Sequence, residues 1–256
     1  MRLSCVIGKW CLVGAMLVGA IAAPANAHTD VLIARQESKL VTGATDFSSA
    51  SMGQRVFSED LALWVDGWGA TAPGFGALGN EALLPTGIER LPGSEQVEFS
   101  VPAVRLSGGS ESQTLWYWDG IGDVQFGEVP TGHSLGITGS VDQLFVDEQS
   151  TDLHGFPIAT TSSTGSLHQH LLFELAGEGG SDSQDGLYLL PMELSMAGLE
   201  PAEPVYLLFN KGLDGAVREQ AAEWVATHQV PEPATGCMLL LVGGLGVLLL
   251  GKRVSR

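Results

Sequence analysis

Apolar and polar residues alternate every second position over much of the middle of the chain. The stretch from Val97 to Val101 alternates cleanly, while the runs Leu115 to Trp118 and Leu187 to Leu190 are short and rich in residues that favour strands. Clusters of Gly and Ser separate these runs, as turns between strands require. The pattern predicts a mainly β domain, an antiparallel β-sandwich of short strands.

One stretch near the C-terminus has the period of a helix. Asp214 is a suitable N-cap, because its side chain can accept a hydrogen bond from a backbone N–H of the first turn. The apolar residues that follow recur at i, i+4, i+7 and i+8: Val217, Ala221, Trp224 and Val225. The spacing predicts one amphipathic helix from Asp214 to Thr227, with Trp224 buried against the sheet.

The N-terminus has the composition of a secretory signal peptide. Arg2 and Lys9 precede an apolar stretch from Cys11 to Ala23, and the small residues Ala25 and Ala27 flank a cleavage position. A signal peptide over residues 1–27 implies export and processing by signal peptidase.

The C-terminal tail, residues 230–256, contains an apolar run of 16 residues from Gly236 to Gly251. A helix of this length rises about 24 Å, slightly less than the hydrocarbon core of a membrane. Lys252 and Arg253 follow the run, and basic residues of this kind stay on the cytoplasmic side. The composition predicts a short transmembrane segment that anchors the protein.

Four residues before this run complete a recognisable order: Val230, Pro231, Glu232 and Pro233. The succession of Pro-Glu-Pro, apolar run and basic tip resembles the PEP-CTERM sorting tail. The resemblance implies that an exosortase-type membrane protease recognises the tail. It also implies a final location in the cell envelope or the extracellular matrix.

The domain between the two ends, residues 28–229, is acidic and free of cysteine. Seven basic and 28 acidic residues lie from His28 to Val230, which gives a net charge of −21. This charge repels phosphate backbones and argues against nucleic acid as a partner. The three cysteines, Cys5, Cys11 and Cys237, lie outside the domain, so disulfides and thiolate metal sites are excluded there.

A His-x-His pair is the leading candidate for a binding site. On a strand, His168 and His170 point to the same face, and two imidazoles at this spacing can bind one zinc or copper ion. The opposite face is apolar, so the pair is expected to face outward. His28, His154 and His133 are candidate third ligands, and His28 is favoured. The alternative is that both histidines are simply solvated residues of a strand.

Two further patterns offer functions of another class. Trp116 and Trp118 point to one face of their strand and can form a sugar-stacking platform, which makes carbohydrate or matrix binding the alternative function; packing in the core is the competing interpretation. A zinc-dependent hydrolase is the second alternative. Residues 132–136 match the G-x-S-x-G pattern of hydrolases, but the flanking sequence does not predict the strand and helix that this motif needs.

The acidic loop from Glu178 to Asp185 contains possible calcium ligands. Asp182 and Asp185 provide oxygen atoms, but their spacing is not that of an EF-hand loop. Asp and Gly are also common turn residues, and a turn is the preferred interpretation.

The domain also resembles the choice-of-anchor M and actinobacterial surface-anchored domains. The matching segments are residues 28–31 (His-Thr-Asp-Val), residues 117–120 (Tyr-Trp-Asp-Gly), residues 168–173 with the His-x-His pair, and residues 186–188 (Gly-Leu-Tyr). Those domains pair an early His-x-Asp with a late His-x-His. The resemblance implies an anchored β-rich surface domain whose relatives often sit near metal-uptake transporters, and it does not imply a known catalytic activity.

Overall fold

The computed structural model describes residues 29–64, 67–107, 111–180 and 182–228, and this part of the chain is mainly β. The first strands are β1 (Asp30–Gln36), β2 (Lys39–Thr45), β3 (Ala50–Met52), β4 (Val56–Asp60), β5 (Ala62–Trp64), β6 (Gly67–Ala70), β7 (Phe75–Ala77) and β8 (Gln96–Val101). The later strands are β9 (Trp116–Trp118), β10 (Gly127–Glu128), β11 (Ser134–Thr138), β12 (Gln143–Asp147), β13 (Leu153–Thr160), β14 (Leu167–Gln169), β15 (Leu172–Ala176), β16 (Gly186–Met196) and β17 (Val205–Lys211). Two single-turn 3-10 helices cover Glu81–Leu83 and Glu178–Gly180, and the helix α1 covers Gly215–His228.

The strands form three sheets in a sandwich-like arrangement. The first sheet has the order β14-β7-β1-β2-β3, and the third has the order β12-β11-β15-β6-β5. The second has the order β10-β9-β16-β17-β4, with β8 paired to β16 and β13 paired to β8. Two pairs, β1 with β7 and β17 with β4, are parallel. The other strand pairs are antiparallel, as the predicted antiparallel β-sandwich requires, and long stretches of chain connect the partners of these two exceptions.

The second sheet lies in the centre of the fold, because both of its faces are covered. Tyr188 and Leu190 of β16 belong to the main core shared with the other sheets, whereas Leu187 and Leu189 belong to a smaller core under α1. Every residue of β17 is buried. Strands covered on both faces show continuous apolar sequence instead of alternation, as these two do.

The tryptophans of β9 contribute to the smaller core. Trp116 and Trp118 are buried there, while Tyr117 packs on the main core from the opposite face of the strand. The predicted alternation of this strand is therefore confirmed. Because both indole rings are covered, they cannot form the sugar-stacking platform considered as an alternative.

The predicted C-terminal helix is present, and Asp214 caps it. The Oδ1 atom of Asp214 accepts a hydrogen bond from the Ala216 N–H at 2.9 Å. Ala221 and Val225, one turn apart, are fully buried against the second sheet. The prediction that Trp224 is buried is wrong: this residue lies beside the contact face, where its half-buried ring stacks on His228 with centroids 4.1 Å apart.

Several predicted features lie outside the described residues. These are the cleavage residues Ala25 and Ala27, His28, the sorting residues Val230, Pro231, Glu232 and Pro233, and the basic residues Lys252 and Arg253. Within the ranges that the structure describes, no helix is long and apolar enough to cross a membrane.

Candidate metal centre

Three possible metal ligands meet at one edge of the first sheet. Asp30 is the first residue of β1, His168 lies in β14, and His170 follows the end of β14. One ligand atom from each residue lies within 4.8 Å of the other two. In the described part of the chain, this is the one group of three or more such residues that can hold an ion. We call it the metal centre.

Strand β7 brings the three residues together, because it lies between β1 and β14. Phe75 of β7 pairs with Val31 on one side and with Gln169 on the other. The residue before Val31 and the residue after Gln169 are Asp30 and His170, so both reach the same end of β7. The buried residues of these strands fix the register of β7 with β1 and with β14. The same register fixes the positions of Asp30 and His170 at the end of β7.

Backbone groups next to β7 fix the orientation of two ligands. The Nδ1 atom of His170 lies 2.8 Å from the carbonyl oxygen of Thr71, which can only accept, so this nitrogen carries the proton. The Nε2 atom of neutral His170 therefore presents a lone pair. The Oδ1 atom of Asp30 accepts a hydrogen bond from the Gly74 N–H at 2.9 Å, and its Oδ2 atom faces the histidines. Supports of this kind hold ligands in metal sites.

The distances between the ligand atoms match those around a tetrahedral ion. The Nε2 atom of His168 lies 3.0 Å from Nε2 of His170 and 3.2 Å from Oδ2 of Asp30. Zinc bonds to nitrogen and oxygen of about 2.0 to 2.2 Å place neighbouring tetrahedral ligands about 3.3 Å apart. The Nε2 atom of His168 therefore lies at distances from the other two ligand atoms that suit neighbouring ligands of one zinc ion.

Exposure differs among the ligands. The side chain of Asp30 is 5% exposed, whereas that of His168 is 53% exposed. A carboxylate buried to this degree is costly unless a cation or hydrogen bonds compensate it. The exposed histidines leave a path by which an ion can enter.

Two glycines leave room for this arrangement. A Cβ atom at Gly74 would lie 2.7 Å from Cε1 of His170 and 2.8 Å from Oδ2 of Asp30. A Cβ atom at Gly76 would lie 2.7 Å from the ring of Phe47, which packs on His168 with ring centroids 4.4 Å apart. Any larger residue at these positions would displace a ligand or the ring that supports it.

The other histidines are elsewhere. His154 is exposed on β13, in the second sheet, where it pairs with Ser100 of β8, and it is not in the group of three. His133 is buried, and its Nε2 atom accepts a hydrogen bond from the Gln184 N–H at 3.1 Å. Neither contributes to the metal centre: His154 lies on β13 in the second sheet, and His133 directly precedes β11 of the third sheet.

Asp30 was not expected as a ligand. Its sequence position two residues after His28, in the early His-x-Asp pattern, was the available signal. Only the parallel pairing of β1 with β7 shows that it faces the His-x-His pair, and sequence alone does not specify that pairing.

The other candidate motifs have structural explanations. Ser134 of the G-x-S-x-G pattern starts strand β11, which lies between β12 and β15, and no helix follows it. The pattern therefore lacks the strand-turn-helix context of a nucleophile elbow. In the acidic loop, Asp182 and Asp185 each place an Oδ1 atom 3.1 Å from the Nζ atom of Lys211.

Lys211 is 2% exposed and also donates a hydrogen bond to the carbonyl oxygen of Ser183. Its Nζ atom lies 5.0 Å from the centre of the Trp68 ring. We call Asp182, Asp185 and Lys211 the lysine cluster. The ammonium group of Lys211 thus contacts the two carboxylates that were considered as possible calcium ligands.

Comparison with known proteins gives no matching family model and no matching curated protein.

Proposed function

We propose that the protein binds a divalent transition metal at the metal centre formed by Asp30, His168 and His170. The observation that carries this proposal is the convergence of three ligand atoms within 4.8 Å of one another, with His168 Nε2 at distances of 3.0 and 3.2 Å from the other two that suit a tetrahedral ion. Their orientation by Thr71 and Gly74 supports it, because undirected surface histidines lack such partners.

Zinc is the preferred ion, and copper is the second candidate. Two imidazole nitrogens and one carboxylate oxygen are common zinc ligands, and the domain has no cysteine that would favour copper(I). Three protein ligands leave one tetrahedral position for a fourth. His28, two residues before Asp30, is our candidate for that position.

We propose a binding function without catalysis. A zinc hydrolase needs a general base beside an open metal position. The groove next to His168 has no carboxylate or lysine among the described residues that line it. The groove therefore offers no carboxylate or lysine as a general base, which argues against hydrolysis there.

The proposed location is the cell envelope or the extracellular matrix. The signal-peptide pattern ending at Ala27 and the tail from Val230 to Arg256 support export, anchoring and processing by signal peptidase and an exosortase-like enzyme. An acidic domain would attract cations at such a surface.

The test is a titration of zinc and of copper(II) into the full-length protein purified in detergent. The His168→Ala/His170→Ala variant should bind zinc at least about 100-fold more weakly than the unchanged protein, because two of three ligands are lost. His154→Ala is the matched control: it removes an exposed strand histidine outside the metal centre and should leave the affinity unchanged.

A second variant tests the geometry without removing a ligand. Gly74→Ala should weaken zinc binding by at least about 10-fold, because the added methyl group would overlap the positions of His170 and Asp30. Equal zinc affinity in the unchanged and double-alanine proteins, or no binding tighter than about 1 mM, would reject the proposal.

A further inference from the structure

A groove of about 570 Å³ lies directly beside the metal centre. His168 and Phe47 belong to its lining, together with Asn80, Leu83 of the 3-10 helix, and Thr160 at the end of β13. This volume lies within the range of grooves that bind small ligands. Because His168 belongs to both sites, an occupant of the groove would lie next to the ion.

His168 is the one ionisable side chain among the described residues that line the groove. None of the described residues that line it is Asp, Glu, Lys or Arg, although the domain has a net charge of −21. The described lining residues offer a charged ligand no side chain of opposite charge from Asp, Glu, Lys or Arg, so the lining itself suits a neutral ligand.

The polar groups in the groove include both donors and acceptors. The carboxamide oxygen of Asn80 accepts a hydrogen bond from the Ala82 N–H, which leaves the NH₂ group to donate outward. The amide nitrogen of Gln169 donates to the carbonyl oxygen of His170, which leaves the side-chain oxygen to accept. The exposed hydroxyl of Thr160 can do both. A ligand with many hydroxyl groups matches this mixture.

Apolar surface completes the lining. Leu83, which is 37% exposed, and the half-buried ring of Phe47 are both part of the lining. Sugar rings present C–H faces beside their hydroxyl groups, and mixed apolar and polar sites are typical for ligands of this size. We infer that the groove between Phe47 and Leu83 binds a neutral oligosaccharide chain.

The test measures binding of five neutral hexasaccharides, namely cello-, malto-, xylo-, manno- and chitohexaose, by calorimetry with the full-length protein in detergent. Hexagalacturonate is the charged comparison. At least one neutral hexasaccharide should bind with a Kd below about 1 mM. Leu83→Glu, which places a charge in the groove, and Thr160→Ala should each weaken that binding, the former by at least 10-fold.

Val141→Glu is the matched control, because Val141 is 91% exposed and does not line the groove. It should leave sugar binding unchanged, and all three variants should keep the zinc affinity and melting temperature of the unchanged protein. Binding by none of the neutral sugars, equal or tighter binding of hexagalacturonate, or no effect of Leu83→Glu would overturn the inference. Sugar binding without zinc binding would reject the proposed metal function and leave this inference standing.

Discussion

The lysine cluster and the metal centre both bring carboxylates next to nitrogen atoms, and the source of positive charge differs between them. In the lysine cluster, the buried ammonium of Lys211 lies between Asp182 and Asp185. In the metal centre, the buried carboxylate of Asp30 faces His168 and His170, and no Lys or Arg forms an ion pair with it in the described part of the chain. Of the two, only the lysine cluster contains a lysine or arginine side chain as a source of positive charge.

This difference indicates which acidic cluster can receive an external ion. A metal at the lysine cluster would have to displace the buried ammonium group of Lys211 from both of its carboxylate partners. A metal at the metal centre would supply charge that the buried carboxylate lacks. The acidic loop from Glu178 to Asp185 is therefore less suitable for binding a metal ion than the metal centre.

The largest expected effect comes from removing the negative charges of the lysine cluster. Asp182→Asn/Asp185→Asn leaves the buried ammonium of Lys211 with neutral partners only. Both carboxylates are largely exposed, so the loss should fall below that of a fully buried pair, at about 2 to 3 kcal/mol of unfolding free energy. Chemical denaturation measures it, and zinc affinity should not change.

The converse change is Asp30→Asn in the metal centre. Zinc affinity should fall by about 10- to 100-fold, because an amide oxygen is a weaker ligand than a carboxylate. The metal-free stability should stay within about 1 kcal/mol of the original, because Asn still accepts the Gly74 hydrogen bond while a buried charge disappears. A large loss of metal-free stability would show that Asp30 serves the fold and would remove the contrast between the clusters.

The fold was predictable where sequence pattern is local. Alternation at Trp116, Tyr117 and Trp118 identified the two faces of β9, and the polar residue Asp214 identified the start of α1. Trp224 was misjudged because helical spacing gives the width of the apolar face, while the sheet determines which residues at its margin are covered.

The metal centre was predictable only in part for a related reason. Period two places His168 and His170 on one face of a strand, which needs no knowledge of the fold. Asp30 joins them through the parallel pairing of β1 with β7, whose partners are distant in the sequence. The lysine cluster was missed for the same reason, since the acidic loop precedes β16 and Lys211 ends β17, and only the pairing of Gly186 with Lys211 across this hairpin brings them together.

Next to the lysine cluster, burial raises the pKa of Tyr188, and the neighbouring Tyr117 and Asp185 raise it further. A phenol whose pKa is raised by folding stabilises the protein fully below about pH 10, and this contribution is lost as the pH rises above the unfolded value. Unfolding free energy should therefore fall above pH 10, by up to about 1.4 kcal/mol per pH unit. Tyr188→Phe should reduce the slope of unfolding free energy against pH in this range. An unchanged slope would show that groups other than Tyr188 cause the loss of stability.

The smallest expected effect concerns a carboxylate whose charge is satisfied by hydrogen bonds alone. The side-chain hydroxyl of Ser48, followed by the backbone N–H groups of Ser49 and Ser48, lowers the pKa of Asp46 to about 2. These bonds form the turn that holds Phe47 against His168. Because the folded pKa is depressed, the stabilisation exists above the unfolded value near 3.9 and is lost as the pH falls toward 2.

Carbon-13 NMR of the Asp46 carboxyl group measures this titration directly, with an expected midpoint at about 2 in the unchanged protein. Ser48→Ala removes the largest cause and should move the midpoint upward toward the ordinary value for Asp. Neither the variant nor added zinc should affect the lysine cluster, which lies in another sheet. A midpoint near 4 in the unchanged protein would mean that the turn does not form as described, and the support of His168 by Phe47 would then lose its basis.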